Sequence, residues 1–272
     1  MTKGALEAFD PFILLSIQLT GSVLVLWLAI LLFSVRLRTP KTMLIAGSTG
    51  VFEPGLAYAV GVPGLALTTA GNASVIAALE PVFIFLGAWL VFRTKLDRFG
   101  IGAVVAAVIG VALVSLTDIS NLGAGSAIGD GLVLLGTAFA AVYVLASSKL
   151  AVSIPAVLLT ALQQTVGLIL VLGFTGAAVL MGWQSLPTSL AGPMLALAIA
   201  SGLIQYALAF WLYIVGLQGM PVGLAGMFLT TTPIFGVLGG MVFLGESLIA
   251  TQLCGMVLVG ISLVSLLKRD VK

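Results

Sequence analysis

Charge is what this sequence lacks most. Only 7% of its 272 residues are Asp, Glu, Lys or Arg, while 61% are hydrophobic. A water-soluble domain carries about a quarter of its residues charged. Too few charges are present to cover a solvated surface, so the surrounding medium is mostly lipid. Histidine is absent, and the one cysteine, Cys254, sits in an apolar segment. A disulfide within the chain is therefore excluded. The usual ligand sets of zinc, haem and iron–sulfur sites are missing too, so neither metal nor cofactor is expected. A net charge of +2 without a dense basic cluster gives no reason to expect nucleic acid. The first ten residues, MTKGALEAFD, lack the apolar core of a signal peptide.

What is present is a series of apolar stretches long enough to cross a bilayer, which takes ~20 residues. Turn residues and charges mark them off near 11–34, 42–63, 69–92, 99–117, 128–148, 155–181, 192–216, 222–244 and 248–267. Helices are expected, because open strands leave backbone groups unsatisfied in lipid. If nine spans alternate sides, every basic residue except Lys3 falls on one face: Arg36, Arg38, Lys41, Arg93, Lys95, Arg98, Lys149, Lys268, Arg269 and Lys272. The positive-inside rule makes that face the cytoplasm, with the C-terminus inside and the N-terminus outside.

The chain also repeats itself. GVALVSL at 110–116 matches GISLVSL at 260–266, and PFILLS at 11–16 matches PAVLLT at 155–160. Between them, residues 50–87 pair without a gap with 202–239, including Gly50/Gly202, Ala57/Ala209, Gly64/Gly216, Pro81/Pro233 and Gly87/Gly239. The second half has five spans. The first has four, with nothing before the counterpart of its second. An odd number of spans per repeat makes the halves point oppositely through the membrane. The sequence therefore predicts an all-α polytopic membrane protein. Its architecture is an inverted repeat of five-helix halves, with nine transmembrane helices and the first helix missing. The halves are 1–117 and 128–272, joined by an external linker at 118–127. A late start, a fragment, or a true nine-helix protein would each explain the odd count.

Two patterns carry a family resemblance. ALEPVFIFLGAWLVF is followed by a short basic loop and a glycine-bearing helix ending GVALVSL. Its second copy runs TTPIFGVLGGMVFLGES and ends GISLVSL. In this order, with Gly129–Asp130 opening the fifth span and Gly245–Glu246 closing the eighth, the chain resembles the EamA-type drug/metabolite transporters over about 11–267. The resemblance implies a ten-helix inverted-repeat carrier of the inner membrane that moves small metabolites, often outward. The chain departs from it at the start and at Gln18, where such proteins often have an arginine.

Among the nine acids, only Glu53 and Glu80 fall near the centres of their spans. An ionised acid there costs roughly 2.5–3.5 kcal/mol on insertion scales, so each must face a cavity, find a partner or carry a proton. At a constant offset of 152, Glu53 corresponds to Gln205 and Glu80 to Thr232, all polar at mid-depth. A pseudo-twofold axis in the membrane plane would gather such positions around one centre, where inverted-repeat carriers bind substrate. Asn72 lies on the face of Glu80 two helical turns earlier. Tyr206 opens a stripe with Phe210 and Tyr213, while Gln163 and Gln164 sit in mid-span. Pro54, Pro81 and Pro233 each follow one of the polar positions. Lacking an N–H, they free the carbonyls of Gly50, Ala77 and Leu229, which is tolerable where these line a wet cavity. Asp130, Glu246 and Lys149 read more simply as interfacial residues.

The expected substrate site is thus Glu53, Glu80, Asn72, Gln205, Tyr206, Thr232, Gln163 and Gln164, with hinges at Pro54, Pro81 and Pro233. A carboxylate facing amides and hydroxyls suits an amino acid or amine. Either glutamate is equally able to carry a proton. Phosphorylated substrates are disfavoured, because no Arg or Lys lies mid-membrane. The partners are then a small-molecule substrate, the lipid bilayer and, in one version, protons. A passive channel is the first rival, although the polar residues cluster at mid-depth and form no continuous stripe. An intramembrane enzyme lacks a nucleophile–base set. A truncated, non-transporting subunit is the third alternative.

Overall fold

The computed structural model describes residues 9–68, 73, 76–93, 98–115, 127–184, 192–232, 234–235, 238 and 250–270. Asn72, Pro233, Glu246 and the linker segment 118–126 lie outside the described residues. Among the described residues every regular element is helical, there is no strand, and the helices form nine segments that each overlap one of the nine expected spans. In chain order they begin with α1 (Pro11–Leu32), the broken pair α2 (Pro40–Ser48) and α3 (Ala57–Leu67), and α4 (Glu80–Phe92). Then come α5 (Arg98–Ser115), α6 (Ala127–Ala151), α7 (Ala156–Leu180), α8 (Pro193–Gly219), α9 (Val222–Leu229) and α10 (Ala250–Asp270). By length and composition α1, α6, α7 and α8 can each cross a membrane, and α4, α5 and α10 contain shorter apolar helices.

Local sequence explains where these helices begin. Prolines at the first position open α1 and α2, where the missing N–H is one that the helix would leave unpaired anyway. Thr39 caps α2 by accepting the Thr42 N–H. Proline also stands just ahead of α7 and α9, as Pro155 and Pro221.

The chain divides into two compact units. One comprises Met1–Ala59 with Ala146–Gly219, the other Val60–Leu145 with Met220–Lys272. In the first unit α1 packs on α7 and on the start of α8, and α2 packs on α7. Its apolar clusters include Phe9, Ile13, Leu14 and Ala198, and separately Leu15, Leu19, Val171 and Tyr206. The polarity is inverted compared with a soluble bundle, with amides inside and leucines outside. Gln18 and Gln163 are 2% and 1% exposed, whereas Leu24 and Leu31 on the same α1 as Gln18 are 66% and 73% exposed. Such a surface is stable in hydrocarbon and would aggregate in water.

In the second unit α5 packs on α10 and α4 on α9. The first pair crosses where a Cβ on Gly255 would stand 2.5 Å from the Gly110 carbonyl oxygen. The second meets where a Cβ on Gly226 would stand 2.8 Å from the Ile84 side chain. Small residues at such crossings let backbones approach, which is how helices associate when lipid is as apolar as leucine. Two of these neighbouring pairs, α1 with α7 and α5 with α10, are pairs that the sequence repeat matches to one another.

Candidate functional site

The α2–α3 helix breaks at FEPGL. Within Phe52–Leu56 the backbone of Glu53 is extended (φ −144°, ψ 130°), the Glu53–Pro54 peptide is cis, and Ala57 donates its N–H to Phe52 across a wide five-residue turn. Pro54 has no N–H to give, so the ordinary ladder stops there. In α8 the same irregularity appears without a proline. Leu203–Leu208 is wound wide, and Ala209 donates its N–H to the Ile204 carbonyl. Phe52 and Ile204, like Ala57 and Ala209, stand 152 residues apart in the sequence. The repeat, not the proline, is the signal for this second break, and proline-based reading alone misses it.

A second pair of breaks obeys the same offset. Ahead of Glu80 the chain turns at Ala78 and Leu79, with the Leu79 N–H donating to Ile76 (3.0 Å) and the Phe83 N–H to Leu79 (3.0 Å). Ahead of Thr232 it turns at Thr230 and Thr231, with the Thr231 N–H donating to Phe228 (3.0 Å) and the Phe235 N–H to Thr231 (3.3 Å). Both of these hydrogen bonds in the first turn have a counterpart in the second. Glu80 is the first residue of α4 and half-buried, while Thr232 is exposed. Pro81 is buried at the start of α4.

The first unit gathers most of the candidate residues. Glu53 is half-buried and Gln205 exposed. Tyr206 is buried, with its phenol hydrogen-bonded to that of Tyr58 and within electrostatic range of Glu53. The rings of Tyr58 and Tyr206 meet edge-on at 5.9 Å and 72°, and Phe210 stacks on Tyr206 at 6.0 Å. These are geometries that aromatic quadrupoles favour. Gln164 is buried against the same residue, its Nε2 donating to the Tyr206 carbonyl at 3.4 Å while its Oε1 accepts from the Ser22 hydroxyl at 3.5 Å. Gln163 points elsewhere. Its amide donates to Thr49 at 2.7 Å and to Ser147 at 2.8 Å. The aromatic stripe is therefore partly core packing, and Tyr58 belongs to it although the one-helix spacing argument does not reach across to another helix.

Two apolar clefts border α1 in the same unit. One, of about 410 Å³, is lined by residues including Leu26, Phe33, Val157, Ala207 and Trp211. The other, of about 450 Å³, includes Ile17, Thr20, Leu24 and Ile199. Their walls suit acyl chains better than a polar solute. Among the described residues no cluster of three or more His, Cys, Asp or Glu side chains is placed to hold a metal.

Comparison with known proteins places this geometry. The EamA-like transporter family matches residues 1–116 and 127–268. A crystal structure of a protein 18% identical in sequence superimposes with a TM-score of 0.81, covering 99% of this chain and 92% of that one. At that identity it shows a shared fold. No curated protein matches the sequence significantly.

Proposed function

The chain belongs to the EamA-like transporter family, a family of membrane transporters for small molecules, and from that premise we propose that it is a secondary carrier working by alternating access. Its cargo is a small metabolite bearing an amine, such as an amino acid or a polar amine, exported across the inner membrane. The cytoplasmic face is the one carrying the arginines and lysines, and the C-terminus lies there. In this reading the two repeats are 1–117 and 128–272, and the substrate meets Glu53, Glu80, Asn72, Gln205, Tyr206 and Thr232 at mid-depth, with Gln163 and Gln164 close by. Pro54, Pro81 and Pro233 mark the hinges.

One observation carries the reading: helix irregularities recur in both halves at equivalent residues, each beside a polar residue, and the reading puts these residues at membrane mid-depth. Irregular backbone is costly in lipid and persists where it lines a cavity or binds a ligand. Discontinuous helices flanking a midplane site are the usual construction of inverted-repeat carriers. The half-buried state of Glu53 and Glu80 leaves both able to meet a cation, and a carboxylate near an aromatic group suits an ammonium. The same two carboxyls would serve proton coupling, which a pH gradient would reveal.

The test is counterflow into proteoliposomes with a panel of radiolabelled amino acids, amines and nucleobases, run for the wild type beside Glu80→Gln. Saturable exchange of one amine class, weakened at least tenfold by that change, supports the reading. Saturable exchange of nucleobases alone, or exchange indifferent to Glu80→Gln and Glu53→Gln together, contradicts the proposed site.

A further inference from the structure

The first unit holds a pair of buried contacts that the substrate site does not require. Thr49 and Gly50 open the tight 3-10 turn, Thr49–Val51, that leads from α2 into the wide turn containing Glu53. Ser201 and Gly202, their counterparts in the repeat, are the last α-helical residues before the wide turn that contains Gln205. Thr49 accepts a hydrogen bond from Gln163 of α7 at 2.7 Å, and Ser201 accepts one from Gln18 of α1 at 2.8 Å. The glycine following each hydroxyl touches the backbone of the same glutamine. A Cβ on Gly50 would collide with the Gln163 carbonyl, and one on Gly202 would stand 2.5 Å from the Gln18 carbonyl oxygen. All four polar side chains are buried, at 6% for Thr49, 3% for Ser201, 2% for Gln18 and 1% for Gln163.

The correspondence runs through both partners. Thr49 and Ser201, like Gly50 and Gly202, are 152 residues apart, and Gln18 and Gln163 stand on the repeat-matched helices α1 and α7. The glutamines are 145 apart, one residue from the offset of the PFILLS and PAVLLT matches. Core filling does not call for an amide in an apolar layer twice over, since a leucine there would pack without needing a partner.

We propose that Gln18 and Gln163 are paired positioning residues, each clasping the backbone just before a wide turn so that the residue within it, Gln205 or Glu53, is held at a fixed depth. The clasp removes freedom on the near side of each break and leaves the bend to the wide turn itself. Gln163 thus serves the site without touching substrate, its amide hydrogens being given to Thr49 and Ser147. The contribution to transport rests on the site proposed above. The clasps themselves do not.

Amide hydrogen exchange by mass spectrometry, on the full chain in nanodiscs, separates the two. Interhelical hydrogen bonds in membranes hold an opening back by about 3-fold on average and up to about 18-fold. Thr49→Val is expected to speed exchange over 50–58 by that factor and to leave 201–209 unchanged. Ser201→Ala is expected to do the reverse. Thr49→Ser and Ser201→Thr keep the hydroxyl and should exchange as the wild type does. Gln163→Leu should reproduce Thr49→Val, and Gln18→Leu should reproduce Ser201→Ala, crossing from one helix to the other. Unchanged exchange at both breaks in Thr49→Val and Ser201→Ala, or a rise spread evenly over α1, α7 and α8, would overturn the proposal. Neither result depends on whether any substrate is carried, so failure of the transport reading would show separately as absent flux in the wild type.

Discussion

Replacing Gly202 by alanine puts a methyl group where α8 lies against α1. The new Cβ would stand 2.5 Å from the Gln18 carbonyl oxygen, 2.6 Å from its Cα and 2.9 Å from its carbonyl carbon. Ordinary carbon contacts lie near 3.5–4.0 Å, so the two helices must part locally by about 1 Å. The atoms in the way are backbone, and no side-chain rotation relieves them. A shift of that size carries the Gln18–Ser201 hydrogen bond from 2.8 Å out of bonding range. Overpacking of this kind costs about 1–3 kcal/mol and the lost hydrogen bond about 1 kcal/mol. The helix propensity gained over glycine returns about 1 kcal/mol. The net loss is about 1–3 kcal/mol, which for a chain of this size lowers Tm by roughly 2–12 °C. Intrinsic-fluorescence melting of the purified protein reads it directly. Gly173→Ala and Gly176→Ala in α7, where an added Cβ meets nothing within 4 Å, are the controls and should melt at or above the wild-type temperature. If Gly202→Ala melts no lower than these controls, the close approach of α1 and α8 is not a feature of the folded protein.

Further expectations follow from the same contacts. Gly50→Ala should lower Tm at least as far as Gly202→Ala, because its Cβ collides with the Gln163 carbonyl; an unchanged melting curve would count against the matched clasps. Asp130→Ala leaves the Thr68 hydroxyl at the start of α6 without its acceptor and should cost about 1 kcal/mol, seen as a small fall in Tm that Asp130→Asn largely avoids. In a Cys254→Ser background, an impermeant maleimide should label Thr39→Cys only in inside-out vesicles and Asn121→Cys only in right-side-out ones; the opposite pattern would reverse the assigned orientation.

Much of the fold is legible in the sequence because lipid leaves few choices. Low charge requires a membrane, and a membrane requires helices, and among the described residues each of the nine apolar stretches contains helix. The prolines announce the break at Glu53–Pro54 and the turn before Glu80. They do not announce the wide turn at Leu203–Leu208, where Tyr206 stands in place of Pro54; only the offset of 152 reaches it. Contacts between helices are less legible still. Helical spacing groups Tyr206 with Phe210, yet says nothing of Tyr58, which meets the Tyr206 ring from α3. It also makes Gln163 and Gln164 neighbours, although the first turns to Thr49 and Ser147 and the second to Tyr206 and Ser22. Two adjacent residues on a helix point about 100° apart, and which partner each finds depends on packing that a single helix does not encode.

The central proposal is that each of the duplicated irregularities meets water within the membrane, and cysteine accessibility tests it most directly. Glu53→Cys, Gln205→Cys, Glu80→Cys and Thr232→Cys, each in the Cys254→Ser background, would be exposed in intact vesicles to a small hydrophilic thiosulfonate. Leu24→Cys, on the exposed apolar face of α1, serves as the lipid-facing control. The account predicts that the four site positions react while Leu24→Cys does not. Four cysteines as unreactive as the control would place the breaks in dry protein or lipid and contradict it.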